Sequence, residues 1–192
     1  MMMRDYFNIV LFFCFIILVL GRAVMLRRKG IKALLFGAAD KSDFWLVPMI
    51  AVIIYALLAA AFGLPFPAIL LKPLAGNEIV RWVGTALCAA SLLWFAFALK
   101  SFGDSFRVGI DETAPDKLVT AGMFAVSRNP IYVAFLSYFI GIMLSYFNIT
   151  SIAAFALFFA AIHRQILREE KFLKKYYGRE YEDYCKQTRR YL

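Results

Sequence analysis

The sequence predicts an all-α integral membrane fold: five transmembrane helices, a tight hairpin between the fourth and fifth, and a cytoplasmic C-terminal helical tail. Three observations carry this reading. The 192 residues are 62% hydrophobic and only 18% charged, whereas a soluble domain is about 45–50% apolar and about 25% charged. Charge-free apolar stretches of membrane-spanning length recur along the chain. Lys and Arg fall almost entirely on one side of the membrane that those stretches define. The length suits one compact unit, a single membrane domain over 1–192, with three helices in 1–100 and the hairpin and tail in 101–192.

The first stretch is Tyr6–Gly21. A basic cluster (Arg22, Arg27, Arg28, Lys29) follows it instead of preceding it, and no small-residue cleavage pattern is present, so it reads as a retained helix and not a secretory signal. The second is Phe44–Leu71, where Pro65 and Pro67 end the helix early. The third is Trp82–Leu99. The fourth, Asn129–His163, has 35 residues. As one helix it would be about 53 Å long, well beyond the roughly 30 Å hydrocarbon core, yet it is too short for two full spans. A hairpin resolves this. Its first leg runs from Pro130 to about Phe147, and its turn lies in 146–151, with Asn148 or Thr150 as N-cap. Its second leg continues past His163 into the charged tail.

With the N-terminus outside, the inner segments 22–41, 100–128 and 164–192 hold six, four and nine Lys or Arg, leaving three (Arg4, Lys72, Arg81) outside. That asymmetry is a strong positive-inside signal. It also accounts for the net charge of +9: the basic loops face anionic lipid of the cytoplasmic leaflet, and no nucleic-acid partner is needed. The three cysteines (Cys14, Cys88, Cys185) form no CxxC pair and there is one histidine, so neither a disulfide framework nor a metal site is expected.

The inner loop 100–128 is long and apolar (Phe102, Phe106, Val108, Leu118, Val119), which argues for function over disorder. It ends at Asn129-Pro130, a favoured N-cap followed by a favoured first helical residue. This is either simply a well-made helix start or an anion site, since free N–H groups and the positive dipole end would face a carboxylate there. Arg128 adjoins it, and Tyr132 either reaches the same place or anchors the interface. Past the second leg, Gln165 meets Glu169 and Arg164 meets Arg168 at i,i+4 spacing. One helix face thus carries acid and amide, and the next carries two guanidinium groups. A solvated charged helix is the plainer alternative. His163 reads as a polar tip at the interface. In the aromatic segment from Phe172 to Tyr184, Gly178 breaks the helix, and the tyrosines suit the bilayer surface or a lid.

Leu118-Val119-Thr120, Gly122, Phe124 and Arg128-Asn129-Pro130-Ile131-Tyr132, then an apolar hairpin, then Glu169-Glu170, then Tyr177-Gly178-Arg179-Glu180-Tyr181 with Tyr184, resemble the isoprenylcysteine carboxyl methyltransferase family over about 105–185. Phospholipid N-methyltransferases look similar. The resemblance implies that 101–192 is a cofactor-binding catalytic region using S-adenosylmethionine. The residues it carries over as cofactor contacts are Asp116, Lys117, Leu118, Val119, Phe124, Asn129, Pro130, Ile131, Tyr132 and Glu169. It also implies an arginine before the acidic pair that meets the substrate carboxylate. Gln165 stands in the aligned place and Arg164 is one step off, so Arg164 is taken for that role. Asn129 replaces the family's usual histidine and Phe124 its usual tyrosine.

The implied chemistry is methyl transfer to a prenylated cysteine or similar lipid-like acid entering from the bilayer, with S-adenosylhomocysteine as product. An ionised carboxylate needs no general base. Competing readings are N-methylation of a lipid headgroup, with Glu169 or Glu170 as base, a reductase of related fold, and a non-catalytic membrane adaptor.

Overall fold

The computed structural model describes residues 3–28, 51, 55, 58–59, 62–74, 77–103 and 117–192. These comprise α1 (Met3–Arg28), the short α2 (Ala68–Leu71), α3 (Glu78–Phe102), a 3-10 turn (Gly122–Ala125), α4 (Pro130–Ser145), α5 (Ile149–Tyr177) and α6 (Arg179–Gln187). Among them no residue is in a strand. Helices α1, α3 and α5 are each long and apolar enough to cross a membrane. The described residues are therefore helical without strands, and the protein is integral to the membrane. Half of the expected second span (44–71) lies outside the described residues, as does 104–116 of the inner loop.

Two of the long helices begin at a side-chain cap that the sequence supplies. Asn77 caps α3, its side chain accepting from the N–H of Val80 at 2.9 Å. Asn148 caps α5 in a reciprocal box with Ser151, its side chain accepting from Ser151 N at 2.8 Å and its own N–H donating to the Ser151 hydroxyl oxygen at 3.2 Å. Such a box satisfies two orphan donors at once. Thr150, the other expected cap, donates its hydroxyl to Leu70 O at 2.9 Å instead. The first leg is shorter than the sequence implied: α4 stops at Ser145, and Leu74 N donates to Phe147 O at 3.0 Å, so α2 and the turn brace one another. Gly178, at φ 53°, ends α5 and starts α6, a left-handed backbone that costs glycine little.

Packing follows small residues and rings. Within a bilayer helices associate by close contact, because lipid tails are as apolar as Leu. Helices α3 and α4 cross at Gly84 and Gly141, where a Cβ on Gly84 would lie 2.5 Å from Gly141 O. Beside that crossing, Phe15 of α1 packs against Phe95, Phe135 and Tyr138, at centroid distances of 5.4, 5.2 and 4.9 Å. Phe139 stacks on Phe158 at 3.9 Å and joins α4 to α5. The outward side chains of α1, such as Phe13, Ile17 and Leu20, are more than half exposed, as a lipid-facing surface requires.

Two polar clusters mark the two ends of the bundle. At one, Arg4 is 3% exposed, bridges Asp5 and Glu78 at 3.3 and 3.2 Å, and lies 5.8 Å from the Tyr146 ring. At the other, Arg22 donates to Gly103 O at the end of α3, and Trp94 donates its indole N–H to Pro130 O at 2.8 Å. The second end, where α4 begins and α5 runs on, holds the candidate site.

Candidate functional site

The site is built from the approach to α4, the far end of α5 and the segment after α6. Lys117–Thr120 runs into the 3-10 turn with Lys117 exposed and Leu118 and Val119 half-buried. Met123 N donates to Ser101 Oγ at 3.1 Å, fixing the turn on the end of α3. Phe124 is buried, its ring 4.8 Å from that of Phe102. Tyr184 of α6 donates its hydroxyl to Phe124 O at 2.6 Å. Burial pushes the Tyr184 phenol above its ordinary pKa, so it remains a neutral donor.

Asn129 holds the N-cap position of α4, but its side chain does not cap the helix. Its amide donates to Glu170 Oε1 at 3.2 Å and to Arg190 O at 3.1 Å. The helix start is therefore tied outward, to α5 and the C-terminal segment. Around Glu170 the ties close into a clasp. Arg128 donates to Glu170 Oε1 through Nε (3.3 Å) and Nη2 (3.1 Å), and through Nη1 to the carbonyls of Cys185 and Thr188. Arg190 takes the other oxygen, Oε2, through Nε (3.0 Å) and Nη2 (2.8 Å). Burial by itself would raise the Glu170 pKa. The hydrogen bond from Arg190 and the charge of Arg128 outweigh it and hold the carboxyl below its ordinary value.

The neighbouring carboxylate is arranged differently. Tyr132, in the first turn of α4, donates its hydroxyl to Glu169 Oε1 at 2.5 Å. Gln165 donates its amide to the same oxygen at 2.9 Å. Glu169 thus accepts from a phenol and an amide, and Glu170 accepts from two guanidinium groups. Side by side in sequence, Glu169 ties α5 to the first turn of α4, and Glu170 ties it to the approach to α4 and to the C-terminal segment.

Of the residues expected at a cofactor site, Tyr132 reaches Glu169, Asn129 is tied to Glu170, and Pro130 and Ile131 of the same turn face α3 and the α1–α3 core, through Trp94 and through packing on Leu26 and Phe95. Phe124 lies just before them with its ring turned into the protein. Lys117, Leu118 and Val119 lead into the same turn, and Asp116 lies outside the described residues. Arg164 lies on the neighbouring face of α5, lining an open groove of about 540 Å³ together with Phe159, Leu167 and Arg168. Gln165, not Arg164, shares the face of Glu169.

Sequence reasoning missed the C-terminal segment. Arg128 N donates to Arg189 O at 2.9 Å, and His163 Nδ1 sits 2.6 Å from the Tyr191 hydroxyl. The only local signal was the basic, aromatic character of the last residues, which suited a membrane surface equally well.

A helical membrane protein in which an acidic extension of one helix folds onto the mouth of its hairpin partner is the class that fold and site define. The profile of the phospholipid methyltransferase family matches residues 79–180, more than half the chain, from α3 to the start of α6. The chain belongs to that family. It is 30% identical over 124 residues to a probable protein-S-isoprenylcysteine O-methyltransferase of Oryza sativa subsp. indica, covering 63% of this chain and 65% of the relative. A relative of the same description in Oryza sativa subsp. japonica matches to the same extent. Protein-S-isoprenylcysteine O-methyltransferase B of Arabidopsis thaliana is 37% identical over 97 residues, covering 47% of this chain and 48% of the relative. The chain thus spans just under two thirds of the rice relatives and about half of the Arabidopsis one. No solved structure matches it.

Proposed function

We propose that the protein is an S-adenosylmethionine-dependent methyltransferase, working at the cytoplasmic membrane face and forming a carboxyl methyl ester on a prenylated cysteine or similar lipid-like acid. The observation that carries the proposal is the Tyr132–Glu169–Gln165 arrangement at the start of α4. The names of the plant relatives favour the ester product. The charge asymmetry of the loops favours five spans with the N-terminus outside, which puts Glu169, Arg128 and the α6 segment on the cytoplasmic side.

The residues fit such a cofactor by their chemistry. A carboxylate with its orientation fixed by a phenol and an amide suits ribose hydroxyls or an α-ammonium. The first turn of α4, with its dipole, suits a carboxylate. When bound, the cofactor supplies an electrophilic methyl group on a sulfonium. The protein's part is positioning. Glu169 would hold ribose or ammonium. Asn129, Pro130, Ile131 and Tyr132 would present the helix mouth, with Tyr132 also offering a ring to a cation. Lys117, Leu118 and Val119, with Asp116 before them, would form the loop side, and Phe124 would hold that loop against α3. Arg164 would orient the acceptor's acid. Proximity of this kind supplies up to about 7–11 kcal/mol of barrier reduction when geometry is right.

Methylation of an amine on a lipid headgroup is the second reading, favoured by the description of the family. It needs a base. Glu170 is a poor one, because its two arginines keep it ionised and occupied, which leaves Glu169. The test has two stages. Calorimetric titration of the detergent-purified protein with S-adenosylhomocysteine should give saturable 1:1 binding, and no binding removes the proposal. Labelled S-adenosylmethionine with a farnesylated cysteine analogue should then yield a base-labile methyl ester. A base-stable product formed only with an aminophospholipid selects the second reading.

A further inference from the structure

Asn77, Asn129 and Asn148 all stand at helix starts, and Asn129 behaves unlike the other two. Asn77 and Asn148 are extended, at ψ 167° and 172°, and each caps its helix with its side chain. Asn129 sits at ψ 52° and does not cap α4. Nothing local explains the difference. The residue before a proline favours extended backbone, which is also what a capping asparagine adopts. Both preferences point Asn129 towards capping its own helix, by accepting from the N–H of the second or third helical residue.

The segment after α6 holds it elsewhere. Residues 188–192 are irregular, yet they form a strap across two helices. Towards α4, Arg189 O accepts from Arg128 N at 2.9 Å. Arg190 O accepts from the Asn129 amide at 3.1 Å and from the Ser127 hydroxyl at 3.4 Å. Towards α5, the Arg190 guanidinium donates to Glu170. Tyr191 lies 2.6 Å from His163 Nδ1 and packs on the cluster of Leu136, Phe158, Ile162 and Ile166. The Asn129 amide is thus spent on the strap and on Glu170, and its side chain is withheld from α4.

We propose that this strap is a conformational switch of the cofactor site, with Asn129 as its moving part and Arg190 and Tyr191 as positioning residues. With the strap seated, the Asn129 side chain leaves the first turn of α4 to the cofactor's carboxylate. With the strap released, Asn129 returns to its local preference, its Oδ1 takes a first-turn N–H, and the helix caps itself where the cofactor would bind. The inference rests on the methyl-transfer reading. A capping asparagine shifts the equilibrium at a helix end by about two-fold to thirty-fold, enough to make the self-capped state dominant once the strap is gone. Affinity then falls in proportion to the competent fraction.

Calorimetric titration of the full chain in detergent with S-adenosylhomocysteine tests it as a cycle. Its members are the wild type, Arg190→Ala with Tyr191→Ala, Asn129→Ala alone, and all three substitutions together. Loss of the strap contacts should weaken binding about ten-fold in the wild type and less than about three-fold in the Asn129→Ala background, where no side chain remains to cap α4. A strap that only held the structure together would cost the same in both. Glu170 keeps its bridge to Arg128 in every variant. Should the double variant fail to fold, Arg190→Gln with Tyr191→Phe, which keeps the ring, runs the same cycle. Equal costs in the two backgrounds, or no cost in the wild type, overturn the switch and leave the methyl-transfer reading standing. A wild type that does not bind overturns both.

Discussion

Tyr132 donates its phenol to Glu169 Oε1 at 2.5 Å, joining the first turn of α4 to the part of α5 that extends beyond its apolar stretch. If Glu169 holds the cofactor, this bond sets where it does so. A hydrogen bond to a charged group contributes about 1.5–3 kcal/mol. Tyr132→Phe should therefore weaken S-adenosylhomocysteine binding by roughly ten-fold to a hundred-fold, with little change in melting temperature. Glu169→Ala should abolish binding while the protein still folds. Calorimetry alongside thermal unfolding separates the two effects, and unaltered affinity in both variants would remove the tail of α5 from the site.

Glu170 should behave in the opposite way. Its side chain and that of Arg128 are each 12% exposed, and Arg190 is more open. Removing the carboxylate leaves both guanidinium groups without their shared partner, and breaking a buried pair in this manner costs about 3–5 kcal/mol, less where one partner is solvated. Glu170→Ala should thus lower the melting temperature markedly. The diagnostic outcome is the contrast within one dipeptide: stability lost at Glu170, binding lost at Glu169.

The same clasp gives a pH dependence. The folded pKa of Glu170 is depressed, so the folded state binds its proton less readily than the unfolded chain, whose glutamates titrate at about 4.3. The stabilisation is complete above that value and is lost as pH falls through it towards the lower folded pKa. The difference in melting temperature between wild type and Glu170→Gln should be constant at neutral pH and shrink below about pH 5. A difference that stays constant down to pH 3 would mean that the ion pairs contribute nothing.

Arg164 lines the groove and Gln165 faces Glu169, so their variants should separate kinetically. Arg164→Ala should raise the KM for a lipid-like acid by about ten-fold or more, the usual cost of an unpaired charged contact, with S-adenosylhomocysteine affinity within about two-fold. Gln165→Ala should weaken the cofactor first. Steady-state assays with calorimetry read both, and equal effects of Arg164→Ala on cofactor and acceptor would show that its role is misassigned.

The helices that crowd the site were legible because their signals are local. Asn148 and Gly178 act where their residue types say they should, and Gln165–Glu169 is a spacing any helix enforces. Asn129 was only half legible. Its position before Pro130 marks a helix start, but its side chain serves Glu170, forty-one positions away. Tyr184 to Phe124 and Arg190 to Glu170 depend on how α6 folds back at Gly178, and no periodicity encodes that return. The arginine expected to meet the acceptor could not be fixed from sequence, because Arg164 and Gln165 are adjacent in the chain yet face different surroundings. Only the folded helix tells those apart.

The crossing of α3 and α4 gives a prediction that reports on the bundle and not on the chemistry. A methyl group at Gly84 would meet Gly141 O at 2.5 Å and Ser145 N at 2.7 Å, and one at Gly141 would meet Gly84 O at 2.6 Å. All three are backbone atoms, which cannot turn aside as a side chain would. The helices must instead move apart, at the usual overpacking cost of about 1–3 kcal/mol. Gly141 lies eleven residues along α4 from Pro130, about 16 Å at helical rise, and the Trp94 bond to Pro130 O pins the near end. Gly84→Ala should therefore lower the melting temperature in detergent while S-adenosylhomocysteine affinity stays within about three-fold of wild type. A variant as stable as wild type would mean that the two backbones do not approach as closely as described. Lost binding with preserved stability would mean that the crossing sets the geometry of the α4 mouth.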